Sequence, residues 1–232
     1  MSSVVLEATS EYLDDLKNFK FLLEYVGFRV HILERIALDE LTKGKVLIIA
    51  AKKYEMYTMD EISLILRAIH GGLGALILLD PESSPSFDST SEILNEAGIF
   101  VSEYNVREPT ETVLVHLTNI NKNHRITSGV DELIAESPKA LMLLRRGGKK
   151  LSILVRSSKN HNPPEAIVSC ATHLGNGRIV VFSSWSIANN ELLNYGQNAL
   201  FLISSIYWLA GLMPGHGLLD RINEALRRVS KS

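Results

Sequence analysis

Asp80 stands at the carboxyl end of an apolar run, Ala75-Leu76-Ile77-Leu78-Leu79, and Pro81 follows it. A carboxylate there can act as a general base or a nucleophile, and open α/β sheets place their sites at the carboxyl ends of strands. Acyl transfer by Ser or Cys is disfavoured at this position. It would need a hydroxyl or thiol in place of Asp80 and an oxyanion-binding N–H on the next residue, and proline has none. In the simpler reading, which we favour, Asp80-Pro81-Glu82-Ser83 is a turn whose carboxylate accepts hydrogen bonds from nearby amides. Other expected strand ends are Glu7-Ala8-Thr9-Ser10, Ala51-Lys52-Lys53 and Ser184-Trp185. If these share one rim, Thr9, Ser10, Lys52, Asp80 and Ser184 converge on a crevice for a small polar or anionic ligand, with Trp185 lining it. A hydrolase would then use Asp80 as base or nucleophile with Lys52 and Ser10 nearby. Thr9 or Ser10 can equally serve as a helix cap, which needs only a hydroxyl.

Arg145, Arg146, Lys149 and Lys150 surround Gly147-Gly148. They form either an anion-binding patch, for phosphate or nucleic acid, or a solvated hairpin tip. The chain as a whole is not basic: 24 Lys and Arg against 26 Asp and Glu give a net charge of -2, which argues against a general nucleic-acid binder. The single cysteine, Cys170, excludes an intrachain disulfide and a multi-thiolate zinc site. It lies inside the expected strand Ala166–Leu174, where a cysteine packs as a small apolar residue. The seven histidines form no i, i+4 pair and no His-Glu-x-x-His motif, so neither metal nor cofactor is expected. Gly71-Gly72-Leu73-Gly74 precedes a strand and lacks a following Gly-Lys-Ser, so it reads as a helix stop. Met1 to Ser10 has neither the basic start nor the apolar run of a signal peptide. Ala199 to Met213 falls short of the roughly 20 residues needed to span a bilayer. A cytoplasmic protein without a membrane span is the expectation.

The elements that must position these residues alternate along the first half. A strand at Val4–Glu7 precedes a helix from Tyr12 to Tyr25, closed by Gly27. Strands follow at Arg29–Leu33 and Lys45–Ala50, the latter an unbroken apolar run of the kind found when both faces are covered. Thr58-Met59-Asp60-Glu61 is a capping box opening a helix with Ile62, Ile65, Leu66 and Ile69 inward, ended by Gly71-Gly72. After the strand to Asp80, Ser89-Thr90-Ser91-Glu92 starts a helix to Ala97, and Ile99–Val101 is a strand. Strand-helix-strand repetition implies crossover connections and a doubly wound, mostly parallel sheet. In the second half, turns replace helices as connectors. Asn176-Gly177 joins Ile167–Leu174 to Arg178–Ser183, and Arg145–Lys150 separates Ala140–Leu144 from Leu151–Val155, so antiparallel hairpins extend one side of the sheet. Helices at about Leu192–Leu212 and Leu218–Val229 finish a single α/β domain spanning 1–232 and pack on it.

Lys-Val-Leu-Ile-Ile-Ala at 45–50, Tyr-Thr-Met-Asp-Glu-Ile at 57–62 and His-Gly-Gly-Leu-Gly-Ala-Leu-Ile-Leu-Leu-Asp at 70–80 resemble a segment of class I glutamine amidotransferase-like domains. His124-Arg125-Ile126-Thr127-Ser128-Gly129-Val130 is similar to that superfamily's His-Pro-Ile-Thr-x-Gly loop, with Arg125 replacing proline. Gly175 to Ser183, Asn189-Asn190 and Gln197-Asn198 resemble its closing strand and helix. The resemblance is strongest to the non-catalytic branch, found in gliding-motility and ABC-transporter accessory proteins and in intraflagellar-transport proteins. It implies a flavodoxin-like or amidotransferase-like fold and a binding or assembly module that recognises a protein partner or small polar ligand at the carboxyl rim. Catalytic members carry an elbow cysteine and a His-Glu pair. Here Asp80 fills the elbow, no late strand is followed by His-x-Glu, and Ser183-Ser184-Trp185-Ser186 stands where the histidine would be sought. A protein partner is therefore expected. Self-association is a further expectation, because 192–212 is apolar on more than one face.

Overall fold

The computed structural model describes residues 2–7, 13–33, 35–50, 57–84, 90–110, 112–144 and 151–229. Runs of Val, Leu and Ile form the parallel strands β1 (Ser3–Glu7), β2 (Arg29–Ile32), β3 (Val46–Ala50) and β4 (Gly74–Leu78), with β12 (Gly177–Phe182) joining them from the far end of the chain. Hydrogen bonding sets the order β2-β1-β3-β4-β12, every pairing parallel. Beyond β12 the sheet turns antiparallel through β11 (Ile167–Leu174), β10 (Ser152–Arg156) and β7 (Asn119–Ile120). An arm of β5 (Ile99–Asn105) and β9 (Lys139–Leu143) joins at the Leu141–Ile167 pair, making ten strands among the described residues. A separate ribbon pairs β6 (Leu114–Leu117) with β8 (Leu133–Glu136).

The period-two alternation of a strand divides the sheet's side chains between two cores. Val4, Leu6, Val46, Ile48 and Ala50 face one layer, with α1 (Lys17–Tyr25), α5 (Asn198–Leu209) and α6 (Leu218–Val229). Val5, Leu47, Ile49, Ala75 and Ile77 face the other, with α3 (Met59–Gly71) and α4 (Thr90–Glu96). A short α2 (Leu38–Leu41) precedes β3. This is the doubly wound arrangement expected from the crossovers. No helix among the described residues is long and apolar enough to cross a membrane.

Local chemistry explains the boundaries. Thr58 Oγ1 accepts from Glu61 N at 3.3 Å while Thr58 N donates to Glu61 Oε2 at 2.8 Å, the reciprocal capping box of α3. Gly72 at φ 123° ends that helix, as the Gly-Gly reading required. The β11–β12 hairpin forms across Gly175-Asn176, and at Gly177 a Cβ would lie 2.1 Å from Ile69 O, so only glycine lets α3 close on the start of β12.

Several boundaries differ from the sequence reading. Helical backbone at Leu13 gives way to a turn at residues 14–16, so α1 begins only at Lys17, and Tyr12 lies outside the described residues. The strand at Ile99 runs on to Asn105. The helix expected from Leu192 starts only at Asn198, since Gly196 at φ 53° turns the chain just before it. Among the described residues, β9 and β10 do not pair with each other. Instead β9 pairs with β5 and β11, and β10 with β11 and β7, so these two strands are not partners in the hairpin expected, and residues 145–150 lie outside the described residues. The β6–β8 ribbon and β7, short and partly polar, left no readable signal in the sequence.

Candidate functional site

Among the described residues, the carboxyl ends of the parallel strands carry buried acids and a buried hydroxyl whose partners are visible. Glu7 ends β1 and is buried beside β3, where its carboxylate accepts from the Tyr57 hydroxyl. Asp80 follows β4 and is only 5% exposed. Its Oδ1 accepts from Glu82 N at 2.9 Å and its Oδ2 from the Ser83 hydroxyl at 3.2 Å, while Ser83 N donates to Asp80 O. That is the turn geometry, with both carboxylate oxygens engaged by the two residues that follow Pro81. Ser184 follows β12 and is fully buried. Its hydroxyl donates to Glu136 O at 2.8 Å and lies 2.8 Å from Ser186 Oγ.

A cleft of about 1100 Å³ opens beside the Asp80 turn, between Pro81–Ser84, the β5–β9 arm and Asn162. Its walls carry Glu82, Glu103, Glu108 and Glu136 against Arg107 and Lys139. Lys139 is buried; its Nζ donates to Asn105 Oδ1 at 3.3 Å, and Asn105 Nδ2 donates to Pro81 O at 3.2 Å, so side chains tie the arm to the Asp80 turn. Arg107 and Asn162 exchange backbone hydrogen bonds at 2.9 Å, fixing the outer wall. Burial holds the Glu136 carboxyl above its ordinary range, and the neighbouring Glu191 and Glu82 charges add to the effect.

Set against the expected crevice, Ser184 does not open onto this cleft. Being buried, it needs a hydrogen-bond partner inside the protein, and it fixes the backbone of Glu136, which does line the cleft. Ser186 completes the grip by accepting from Glu136 N at 2.8 Å. Trp185 begins the 3₁₀ turn Trp185–Ala188, donates its N–H to Leu79 O at 2.7 Å and packs half-buried against the α5 side of the sheet, away from the cleft. Thr9, Ser10, Lys52, Arg145, Arg146, Lys149 and Lys150 lie outside the described residues. Cys170 is buried within β11, and desolvation pushes its thiol up to about 12, so the thiolate that nucleophilic chemistry requires is suppressed. No metal-ligating cluster occurs among the described residues. Sequence reasoning missed Glu136, Lys139 and Arg107. The available signal was a charged residue at each edge of a short apolar run, Glu136 after Leu133-Ile134-Ala135 and Lys139 before Ala140-Leu141.

No protein-family model matches the chain, and no curated protein matches it in sequence. Solved structures do match. The mmIFT52 N-terminal domain superposes with a TM-score of 0.75 at 16% identity, covering 89% of this chain and 97% of that one. A protein described as putative ThuA-like, from Bacteroides uniformis, gives a TM-score of 0.59 at 16% identity over 89% of this chain and 90% of that one. A cytoplasmic protein from Salmonella typhimurium LT2 gives 0.62 at 13% identity over 90% and 99%. What they share is the fold. It is the doubly wound, flavodoxin-like α/β fold expected from the sequence, and at these identities the likeness extends no further.

Proposed function

We propose that this protein is a non-catalytic amidotransferase-like module of the cytoplasm that binds a protein partner or a small polar ligand at the carboxyl rim of its sheet, in the cleft beside the Asp80 turn. The observation that carries this reading is the engagement of Asp80. Both of its oxygens accept hydrogen bonds from its own turn, leaving no free base or nucleophile at the position where a catalytic relative would hold one. The cleft walls instead offer fixed polar groups of both signs, Glu103 and Glu136 on one hand and Arg107 on the other, which suits recognition by hydrogen bonding and charge. Likeness in fold to the mmIFT52 N-terminal domain and to a ThuA-like protein supports such a module. Likeness in fold to a cytoplasmic protein of Salmonella typhimurium accords with the compartment.

A thermal-shift screen of the purified chain against metabolites, nucleotides and short peptides tests this. A ligand at about 100 times its dissociation constant adds about 2.7 kcal/mol to stability. The expected hit is one lost in Glu103→Ala or Arg107→Ala, both exposed positions on the cleft wall. Turnover of a hydrolysable ligand that disappears in Asp80→Asn would replace the binding reading with an enzymatic one.

A further inference from the structure

A second concavity lies on the outer face of the β6–β8 ribbon. Val115, Leu117, Leu133 and Ala135 point into the core, so strand alternation sends Leu114, His116, Ile134 and Glu136 outward. These four, with Val113, Glu191, Leu192 and Tyr195, line a groove of about 610 Å³. Its walls leave Val113 63% and Tyr195 57% exposed, which is a large apolar area to leave against water.

The charges around the groove are sorted by their partners. Glu108 Oε1 accepts from His116 N at 2.8 Å, and Glu132 Oε1 lies 2.9 Å from His116 Nδ1, so both carboxylates and the one imidazole are already engaged. The carboxylates of Glu136 and Glu191 have no hydrogen-bond or ion-pair partner among the described residues, Glu136 being held through its backbone alone. They stand close enough that the Glu191 charge helps hold the Glu136 carboxyl up. The groove therefore presents an apolar floor with two uncompensated carboxylates on one rim, and among the described residues no lysine or arginine lines it.

We propose that this groove docks a short segment of a protein partner carrying an apolar side chain next to a lysine or arginine. The apolar group covers Leu114, Ile134 and Tyr195, and the cation sits between Glu136 and Glu191. Charge complementarity selects this occupant. A basic side chain relieves the repulsion between the two carboxylates, whereas an acidic or neutral segment leaves it in place. The proposal rests on the binding-module reading and gives it a second surface, since Val113 and Glu136 border both the groove and the cleft.

The test is selection of phage-displayed heptapeptides on the full chain, followed by fluorescence anisotropy with the selected peptides. Selected peptides are expected to carry an apolar residue adjacent to lysine or arginine. Their affinity is expected to fall about tenfold in the double variant Glu136→Gln, Glu191→Gln, a loss of about 1.4 kcal/mol, and by a similar factor in Tyr195→Ser. Thermal unfolding of each variant verifies that it is folded. Peptides without a basic residue, affinity unchanged in the double variant, or an empty selection would each overturn the proposal. An empty selection alongside small-ligand hits that depend on Glu103 and Arg107 would remove the groove and keep the cleft; blanks in both would remove both.

Discussion

The side chain of Asn198 makes both backbone hydrogen bonds of Ile134, accepting from its N–H at 3.0 Å and donating to its carbonyl at 2.8 Å. A third bond runs from Asn198 Nδ2 to Leu192 O at 2.8 Å. The amide thus does for the outer edge of β8 what a neighbouring strand would do, and it anchors the ribbon to the first turn of α5. Asn198→Ala leaves these fully buried groups without partners, at about 1–3 kcal/mol each. The expected loss is on the order of 3 kcal/mol in denaturant unfolding, with faster amide exchange in β6 and β8 than in β3 and β4. Asn198→Asp, which keeps the acceptor but turns a buried carboxylate oxygen onto two carbonyls, should lose at least as much near neutral pH. Equal exchange in both sets of strands would show that the ribbon is held some other way.

Asp80→Ala removes two acceptors from a turn, and the Glu82 N–H and Ser83 hydroxyl lose their partner. A cost of about 1–2 kcal/mol is expected, read as a lower midpoint in urea. Ligand binding in the cleft should survive, because the carboxylate itself faces its own turn. A variant as stable as the parent would contradict the role assigned to this residue.

Glu136 gives the protein a pH dependence of predictable sign. Burial first, then the charges of Glu191 and Glu82, raise its folded-state pKa above the ordinary 4.5. The folded state therefore holds this proton more tightly than the unfolded chain, and stability falls as pH rises from about 4.5 through the raised value. Glu136→Gln should raise the melting temperature at pH 7 and leave it nearly unchanged at pH 4. A variant that melts lower at pH 7 would mean that the charged carboxylate has a favourable partner.

Cys170, with its thiol pushed up to about 12 by burial in β11, should resist iodoacetamide at pH 8 in the native protein and react once urea unfolds it. Rapid labelling of the folded chain would place the thiol at an accessible edge and reopen the question of its chemistry.

Much of the parallel half of the fold was legible because its signals are local. The apolar run Val46–Ala50, the Thr58–Glu61 box and the Gly71-Gly72 stop each declare an element within a few residues, and the Asn176-Gly177 hairpin does the same. The ribbon was not legible, because β6 and β8 owe their place to Asn198, Ser184 and Ser186, residues distant in sequence that supply edge bonds through side chains. For the same reason Ser184 read as a rim hydroxyl when it is a buried strut, and Glu136 went unnoticed although Ser184 and Ser186 hold it at the cleft. Asp80 was readable as a turn from Asp-Pro-x-Ser alone, since the bonds it makes reach only two and three residues along the chain.

The place of β12 next to β4 also governs when the sheet can exist at all. Gly74 pairs with Arg178 and Leu78 with Phe182, so nearly half the chain separates the two strands. Until β12 arrives, β4 has an unpaired, wholly apolar edge of the kind that recruits strands from other chains. A chain still on the ribosome with β12 inside the tunnel carries that edge exposed. Synthesis paused before Gly177, or a fragment ending there, should yield a sticky intermediate that depends on chaperones, whereas release of the last helices completes the sheet and closes it.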